Sequence, residues 1–297
     1  MNLCSDSPRL ISEHELPSVC SLMEAVYGWN YGVAHLAWKY FYRGHGSRLY
    51  GLYDGSVLVT LQGVQEVFIG RGEARVAVWL LEDGMTHPHY QGRGFFTRMI
   101  RFVQSQEKPL LTFANRRSFP TFRKLGWMEI DHATILAKPP IGGIIGPLPQ
   151  TLKCSEALHV IRDGDYLGWR FLRMPDRRYE VLVLDDGSYA IVAVLVRHKL
   201  RIGCIAAMEV VSPSSGVKLL GEVCRALKQH RVHAIVVVTT SKHSLNGLLK
   251  RAGFLPIPPK LMRKEVHVMA WQLPSELLAT QEADCNIDFM WGDWDIV

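Results

Sequence analysis

Thr86-His-Pro-His-Tyr-Gln-Gly-Arg-Gly-Phe-Phe-Thr-Arg-Met-Ile100 follows a strand-like run, turns through two glycines and opens a segment with helical spacing. Gly92 and Gly94 remove side chains where a backbone must come close to something, and the amides after them fall at a helix N-terminus. Such amides lack intrahelical partners and carry partial positive charge, so the turn reads as a cradle for a pyrophosphate. The bland alternative is an ordinary strand-to-helix turn. Other phosphate loops fit worse. No Gly-Lys-Ser/Thr follows, as a nucleoside-triphosphate loop requires, and the dinucleotide fingerprint needs three glycines in Gly-x-Gly-x-x-Gly spacing.

The chain around this turn has 297 residues, 48% hydrophobic and 21% charged, which suits two ordinary domains and excludes extensive disorder. Its net charge of +6 comes from 34 Lys and Arg against 28 Asp and Glu, without a basic block interleaved with aromatics. A polyphosphate coenzyme accounts for that excess better than nucleic acid, and a merely basic surface is the other option. Cys4, Cys20, Cys154, Cys204, Cys224 and Cys285 never form Cys-x-x-Cys, which argues against structural zinc, and no metal is expected. The first nine residues lack the apolar core of a secretory signal, and the longest apolar run, 234–238, is strand-sized. The expectation is a cytoplasmic protein without a membrane partner.

An internal repeat organises the chain. Trp38-Lys-Tyr-Phe41, Tyr50, Asp54-Gly55 and an apolar run from Val57 recur as Trp169-Arg-Phe-Leu172, Tyr179, Asp186-Gly187 and an apolar run from Tyr189. Each set describes a helix end, a strand, an Asp-Gly hairpin and a second strand. Later, Asn115-Arg-Arg-Ser118 with Lys124-Leu-Gly-Trp127 is matched by Ser241-Lys-His-Ser244 with Arg251-Ala-Gly-Phe254. Shared order implies duplication: residues 1–137 form one domain, 138–150 a linker rich in Pro and Gly, and 151–297 a second domain. Trp38 and Trp169 are each expected to anchor a helix on their own sheet. In the first half the pattern predicts helices over 16–27 and 35–41, strands over 48–53, 57–67 and 74–85, a helix after the glycine turn, a strand over 110–114 and a helix over 118–125. In the second it predicts strands over 179–184, 190–197 and 202–211, a helix over 216–229, a strand over 234–239 and a helix over 245–252. Hairpins followed by a strand-helix-strand crossover make an α+β fold, a mixed, mostly antiparallel sheet flanked by helices in each half.

Gln91, Arg93 and Gly94 match the acyl-CoA signature Gln/Arg-x-x-Gly-x-Gly/Ala, and with the order of elements the chain resembles a tandem member of the GNAT N-acetyltransferase family. Phe96 departs from the small residue at the last position. Asn115 to Trp127 looks like the polysaccharide and amino-sugar acylating members. The resemblance implies acetyl-CoA or another acyl-CoA as co-substrate, held by Gln91, Gly92, Arg93, Gly94, Phe95 and Phe96, with backbone at Gly84, Met85 and Thr86 and the amide of Asn115 on the pantetheine side. Asn115 capping the next helix is an equal alternative. The second half has Val211-Ser-Pro-Ser-Ser-Gly-Val217 where the turn should lie, and reads as a degenerate copy forming a cleft wall. Ser212 or Ser215 is placed to cap its helix. Asp293 and Asp295, near the end of the sequence, resemble an acceptor-binding Gly-Asp-x-Asp, with exposed terminal carboxylates as the alternative.

Acyl transfer to an amine needs a proton acceptor near the nucleophile. Glu82 and Asp83 lie at the reactive end of the strand before the turn. Strand alternation lets only one of them face a given cleft, and Glu82 takes that place by the family scheme. His87 is a further candidate, set against a solvated-loop reading for His87 and His89. Phe122 occupies the position where many members carry a proton-donating tyrosine. The expected activity is therefore N-acyl transfer from acyl-CoA to a small amine such as a nucleotide-linked amino sugar. The rivals are aminoacyl transfer from aminoacyl-tRNA, for which no long basic helical arm is present, and a non-catalytic binding module with a vestigial turn.

Overall fold

The computed structural model describes residues 7–42, 46–140, 157–258, 265–278 and 287–293. Most of the expected linker, together with Cys4, Cys154, Cys285 and Asp295, lies outside these residues. The first half contains β1 (Arg9–Leu10), α1 (Leu16–Tyr27), α2 (Val33–Tyr40), β2 (Arg48–Asp54), β3 (Val57–Arg71), β4 (Ala74–Thr86), α3 (Phe95–Gln104), β5 (Leu110–Asn115), α4 (Phe119–Lys124) and β6 (Met128–Lys138). The second contains β7 (Leu158–Val160), α5 (Gly164–Leu167), β8 (Glu180–Val183), β9 (Tyr189–Arg197), β10 (Leu200–Glu209), α6 (Pro213–Gln229), β11 (Ala234–Thr240), α7 (Asn246–Arg251), β12 (Leu255–Pro256), β13 (Val266–Trp271) and β14 (Ile287–Asp288). Both Asp-Gly hairpins form, with Gly55 at φ 59° and Gly187 at φ 88°, a region open to glycine at little cost.

The sheet runs β1-β2-β3-β4-β5-β13-β6-β11-β10-β9-β8, antiparallel except at β4/β5 and β10/β11 along that path. The halves exchange strands. β13, late in the chain, inserts antiparallel between β5 and β6, and β6 then leaves β13 at His132 and pairs with β11 from Ala133 onward. A helix and its crossover are local, but a strand slot can be filled by any segment of the right period, and here each half fills the other's.

Helix α3 shows why the turn is held firmly. Phe95, Met99, Ile100 and Val103 recur on one face and are buried against Trp79, Leu81 and Leu110. Each such burial contributes about 1.5–3 kcal/mol. The largest apolar cluster lies between the halves and contains Trp38, Leu80, Leu111, Trp169, Phe171 and Phe289. Within it Trp38 and Trp169 correct the expectation that each anchors its own sheet. Their rings stack on one another at 5.1 Å, and each indole N–H donates to the other's backbone carbonyl, at 3.1 Å from Trp38 and 3.3 Å from Trp169. The repeated tryptophans are the seam of the molecule.

Candidate active site

Four features meet beside the glycine turn. The first is a divergence: β4 and β5 pair in parallel only through Trp79, Leu80 and Leu81, after which β4 runs on to Thr86 and β5 to Asn115 without pairing to each other. The hydroxyl of Thr112 donates to the Leu81 carbonyl at 3.0 Å, at the last paired position. Two strands that part this way expose backbone donors and acceptors to a guest.

The second is a bulge in β4. Its register with β3 passes from Leu61–Met85 to Gly63–Glu82, so Asp83 and Gly84 together face Gln62. Asp83 sits at φ 52°, uncommon for a residue with a side chain. The Gln62 amide donates to the carbonyls of Gly63 and Glu82, both at 2.8 Å, and so replaces the ladder bonds that the bulge removes. A Cβ on Gly84 would lie 2.6 Å from Gln62 Oε1 and 3.2 Å from a ring carbon of Phe96. Glycine is needed there for these neighbours. Met85 is buried, and the Thr86 hydroxyl is 3.2 Å from that of Thr60.

The third is the turn itself. Gly92 (φ 75°) and Gly94 (φ 82°) both have left-handed backbone and open space where a side chain would project. Gly94 precedes α3, and no side chain caps that helix, so the amides of its first turn face outward. Gln91 donates from Nε2 to the Thr86 carbonyl at 3.0 Å, tying turn to strand, and the Arg93 guanidinium lies 5.3 Å from the Tyr90 ring centroid. Phe95 is buried. Phe96, in the place of a small residue, packs edge-to-face on Phe122 at 5.9 Å. The two departures from the family pattern therefore touch each other. Asn115 Oδ1 accepts from the backbone N–H of Arg117 (2.9 Å) and Ser118 (3.2 Å), a turn ahead of α4.

The fourth is a buried charge cluster. Lys39 Nζ lies 3.0 Å from Glu82 Oε2 and 2.8 Å from Asp83 Oδ2, and the Tyr40 hydroxyl donates to the same Asp83 oxygen at 2.6 Å. Strict alternation would have sent the two carboxylates to opposite faces; the bulge turns Asp83 so that both meet one ammonium. Burial, followed by Asp83, raises the Tyr40 pKa well above its ordinary value. Tyr27, the last residue of α1, is nearly half exposed, yet partial burial pushes its pKa up to about 12. Asp83 raises it further, while Arg117 and Lys39 oppose. Lys39, Tyr40 and Tyr27 are absent from the expected site, because nothing local in the sequence distinguishes them from ordinary helix residues. His87 lies apart: its ring accepts the His89 backbone N–H at 3.3 Å and meets Tyr90 edge-to-face, with no contact to the carboxylates among the described residues.

The second half repeats the divergence and then closes it. β10 and β11 pair in parallel from Ile202 to Ile205 and part beyond Val237. Counting from the last pair, Ala206 and Ala207 stand where Glu82 and Asp83 stand, and β10 has its own irregularity between Ile205 and Ala207. Residues 287–293 fill the gap. Met290 bridges to Thr239, the Thr240 N–H donates to the Phe289 carbonyl at 3.1 Å, and Arg170, the counterpart of Lys39, donates to the Gly292 carbonyl at 2.7 Å. Gly292 has no room for a Cβ, which would lie 2.7 Å from the Ala206 carbonyl oxygen. Asp293 is thereby corrected from a cleft-facing group to a structural one. Its side chain is fully buried, paired with Arg162, and accepts from the Met290 N–H at 2.8 Å and the Tyr166 hydroxyl at 3.3 Å. Ser212 caps α6, which begins at Pro213, earlier than expected, by accepting the Ser215 N–H at 3.1 Å.

No protein-family model and no curated protein sequence matches the chain. Solved structures do. A GCN5-related N-acetyltransferase from Kribbella flavida superposes with a TM-score of 0.63 at 13% identity, over 91% of this chain and 72% of the other. One from Anabaena variabilis gives 0.63 at 12%, over 89% and 72%. The chain has the GNAT fold. Among the described residues no helix is long and apolar enough to cross a membrane, and no three His, Cys, Asp or Glu side chains are grouped to hold a metal.

Proposed function

We propose that the protein transfers an acyl group, acetyl in the simplest case, from acyl-CoA to the nitrogen of a small amine. The observation that carries this reading is the divergence of β4 from β5 directly before an uncapped helix N-terminus with two open glycines. The α3 amides and the turn at 91–96 hold the pyrophosphate, and Arg93 adds a positive charge beside it. The backbone of residues 84–86 and the edge of β5 near Asn115 receive the pantetheine, placing the thioester by the β4 bulge. There the amine attacks directly, the Glu82–Asp83 pair takes up its proton, and backbone amides stabilise the developing oxyanion. An amino sugar, free or nucleotide-linked, is the favoured acceptor, and a cytoplasmic location, with its supply of acyl-CoA, fits the reaction. The second half, with its gap filled and its acids replaced by alanine, binds no coenzyme and serves as a wall of the cleft, so one acyl-CoA binds per chain.

Thermal unfolding with and without acetyl-CoA tests the reading. Saturation at 100 times Kd stabilises a native site by about 2.7 kcal/mol, a rise of several degrees. Gly94→Val, which places a β-branched side chain at φ 82° in front of the amides, removes the rise. Absence of a shift with acetyl-, propionyl- and longer acyl-CoA in the unsubstituted protein rejects acyl-CoA as donor.

A further inference from the structure

Three consecutive residues of α2 serve three purposes. Trp38 locks the seam, Lys39 enters the space between Glu82 and Asp83, and Tyr40 reaches Asp83 from its other side. The Tyr40 hydroxyl occupies the very volume that a side chain at Gly63 would take, so β3 is shaped to admit it. Both α2 bonds to Asp83 end on Oδ2, and among the described contacts Oδ1 has none. The Lys39 side chain is 0% exposed, Glu82 6% and Asp83 10%, which makes Asp83 the most accessible member of the cluster. Lys39 and Tyr40 from α2 meet it directly, Glu82 from β4 shares Lys39 with it, and the charges of Asp83 and of Arg117, beyond β5, act in opposite directions on the Tyr27 hydroxyl at the end of α1. Tyr40 stays protonated, for the reasons given above. Two carboxylates thus share the Lys39 ammonium in a largely buried site, where each opposes the ionisation of the other and the ammonium favours it.

We infer that Asp83 is the group that accepts the amine's proton, through Oδ1, and that Lys39 is a positioning residue that sets its basicity in opposition to Glu82. This rests on the acyl-transfer reading. As the amine nitrogen bonds to the thioester carbon, the C–S bond breaks with its electron pair on sulfur. The proton released from nitrogen passes to the Asp83 carboxylate; the thiolate takes a proton from water, and Asp83 returns its own to solvent.

Opposite neighbours must act in opposite directions. With acetyl-CoA and an amino sugar that the unsubstituted protein acetylates, the acid limb of kcat/KM against pH moves up by about one unit or more in Lys39→Met, because the remaining carboxylates repel without a cation. It moves down in Glu82→Gln, where Lys39 then favours the Asp83 anion alone. Tyr40→Phe, which removes one hydroxyl and carries little risk to folding, moves it up by less. Acetyl-CoA affinity stays within about twofold in all three, because none touches the α3 cradle. Infrared titration of isotope-labelled carboxylates, with Asp83→Asn to assign the band, follows the same displacements without turnover. Opposite displacements in the infrared titration of a protein that never turns over acetyl-CoA reject the acyl-transfer reading and keep the cluster. Turnover with limbs that do not move, or that move the same way in Tyr40→Phe and Glu82→Gln, overturns the inference whether or not Lys39→Met folds.

Discussion

Replacing Asp293 with asparagine separates a structural carboxylate from a substrate-binding one. The change keeps the shape and removes the charge. In the protein that charge answers Arg162, whose side chain is 6% exposed, and it accepts from Arg162 Nε at 3.0 Å, the Met290 N–H and the Tyr166 hydroxyl. Asparagine offers one acceptor oxygen for these donors and turns an NH2 group toward at least one of them. It leaves a buried guanidinium without its counter-ion, a loss of about 3–5 kcal/mol in comparable pairs. At about 2–4 °C per kcal/mol for chains somewhat shorter than this one, the melting temperature falls on the order of 10 °C. Urea unfolding followed by circular dichroism measures the stability directly, and calorimetric titration of acetyl-CoA measures the binding site, where little change is expected because residues 287–293 fill the other half's gap. A loss below about 1 kcal/mol, or a selective loss of acceptor affinity in a protein of full stability, refutes the reasoning and returns Asp293 to the acceptor site.

Two further outcomes follow from buried groups. His243 is buried, its Nδ1 accepts the Leu245 N–H at 3.1 Å, and burial lowers its pKa, with Asp288 opposing. The unfolded chain therefore binds a proton there before the folded one does. Stability from this residue is present above the unfolded histidine pKa of about 6.5 and is lost as pH falls through the lower folded value, so His243→Asn flattens the acid side of the stability profile; an unchanged slope contradicts this. At the seam, Trp38→Phe and Trp169→Phe each strand a buried carbonyl and cost roughly 1–3 kcal/mol. Their double-mutant cycle shows a coupling of about 0.5–3 kcal/mol, and additive effects contradict the reciprocal pairing.

What could be read without coordinates was what a few consecutive residues decide. The Asp-Gly hairpins, the α1 span, the α3 face and the glycine turn all follow from turn chemistry and periodicity within a short window, and they stand where expected. The seam was misread because the repeat of Trp38 and Trp169 shows that both positions matter but does not say that they face each other. That Glu82 and Asp83 face the same ammonium is not legible locally, because alternation holds only in a regular strand, and the bulge depends on Gln62, twenty-one residues earlier, to bridge it. Lys39 carried a weak signal: a lysine beside a tryptophan on a short helix is usually solvated, and only the meeting of α2 with β4 buries it.

The sequence by itself determined the α+β class, the repeated order of elements and the place of the glycine turn, since these rest on local backbone preferences and on which face of each element is apolar. Only the tertiary structure decided which strands complete which half, that residues 287–293 close the second gap, and that Lys39 and Tyr40 meet Asp83. Those outcomes depend on pairings between segments far apart in the chain. Many pairings satisfy the same local patterns, and the one adopted is selected by the joint burial of the seam, where both halves must fit at once.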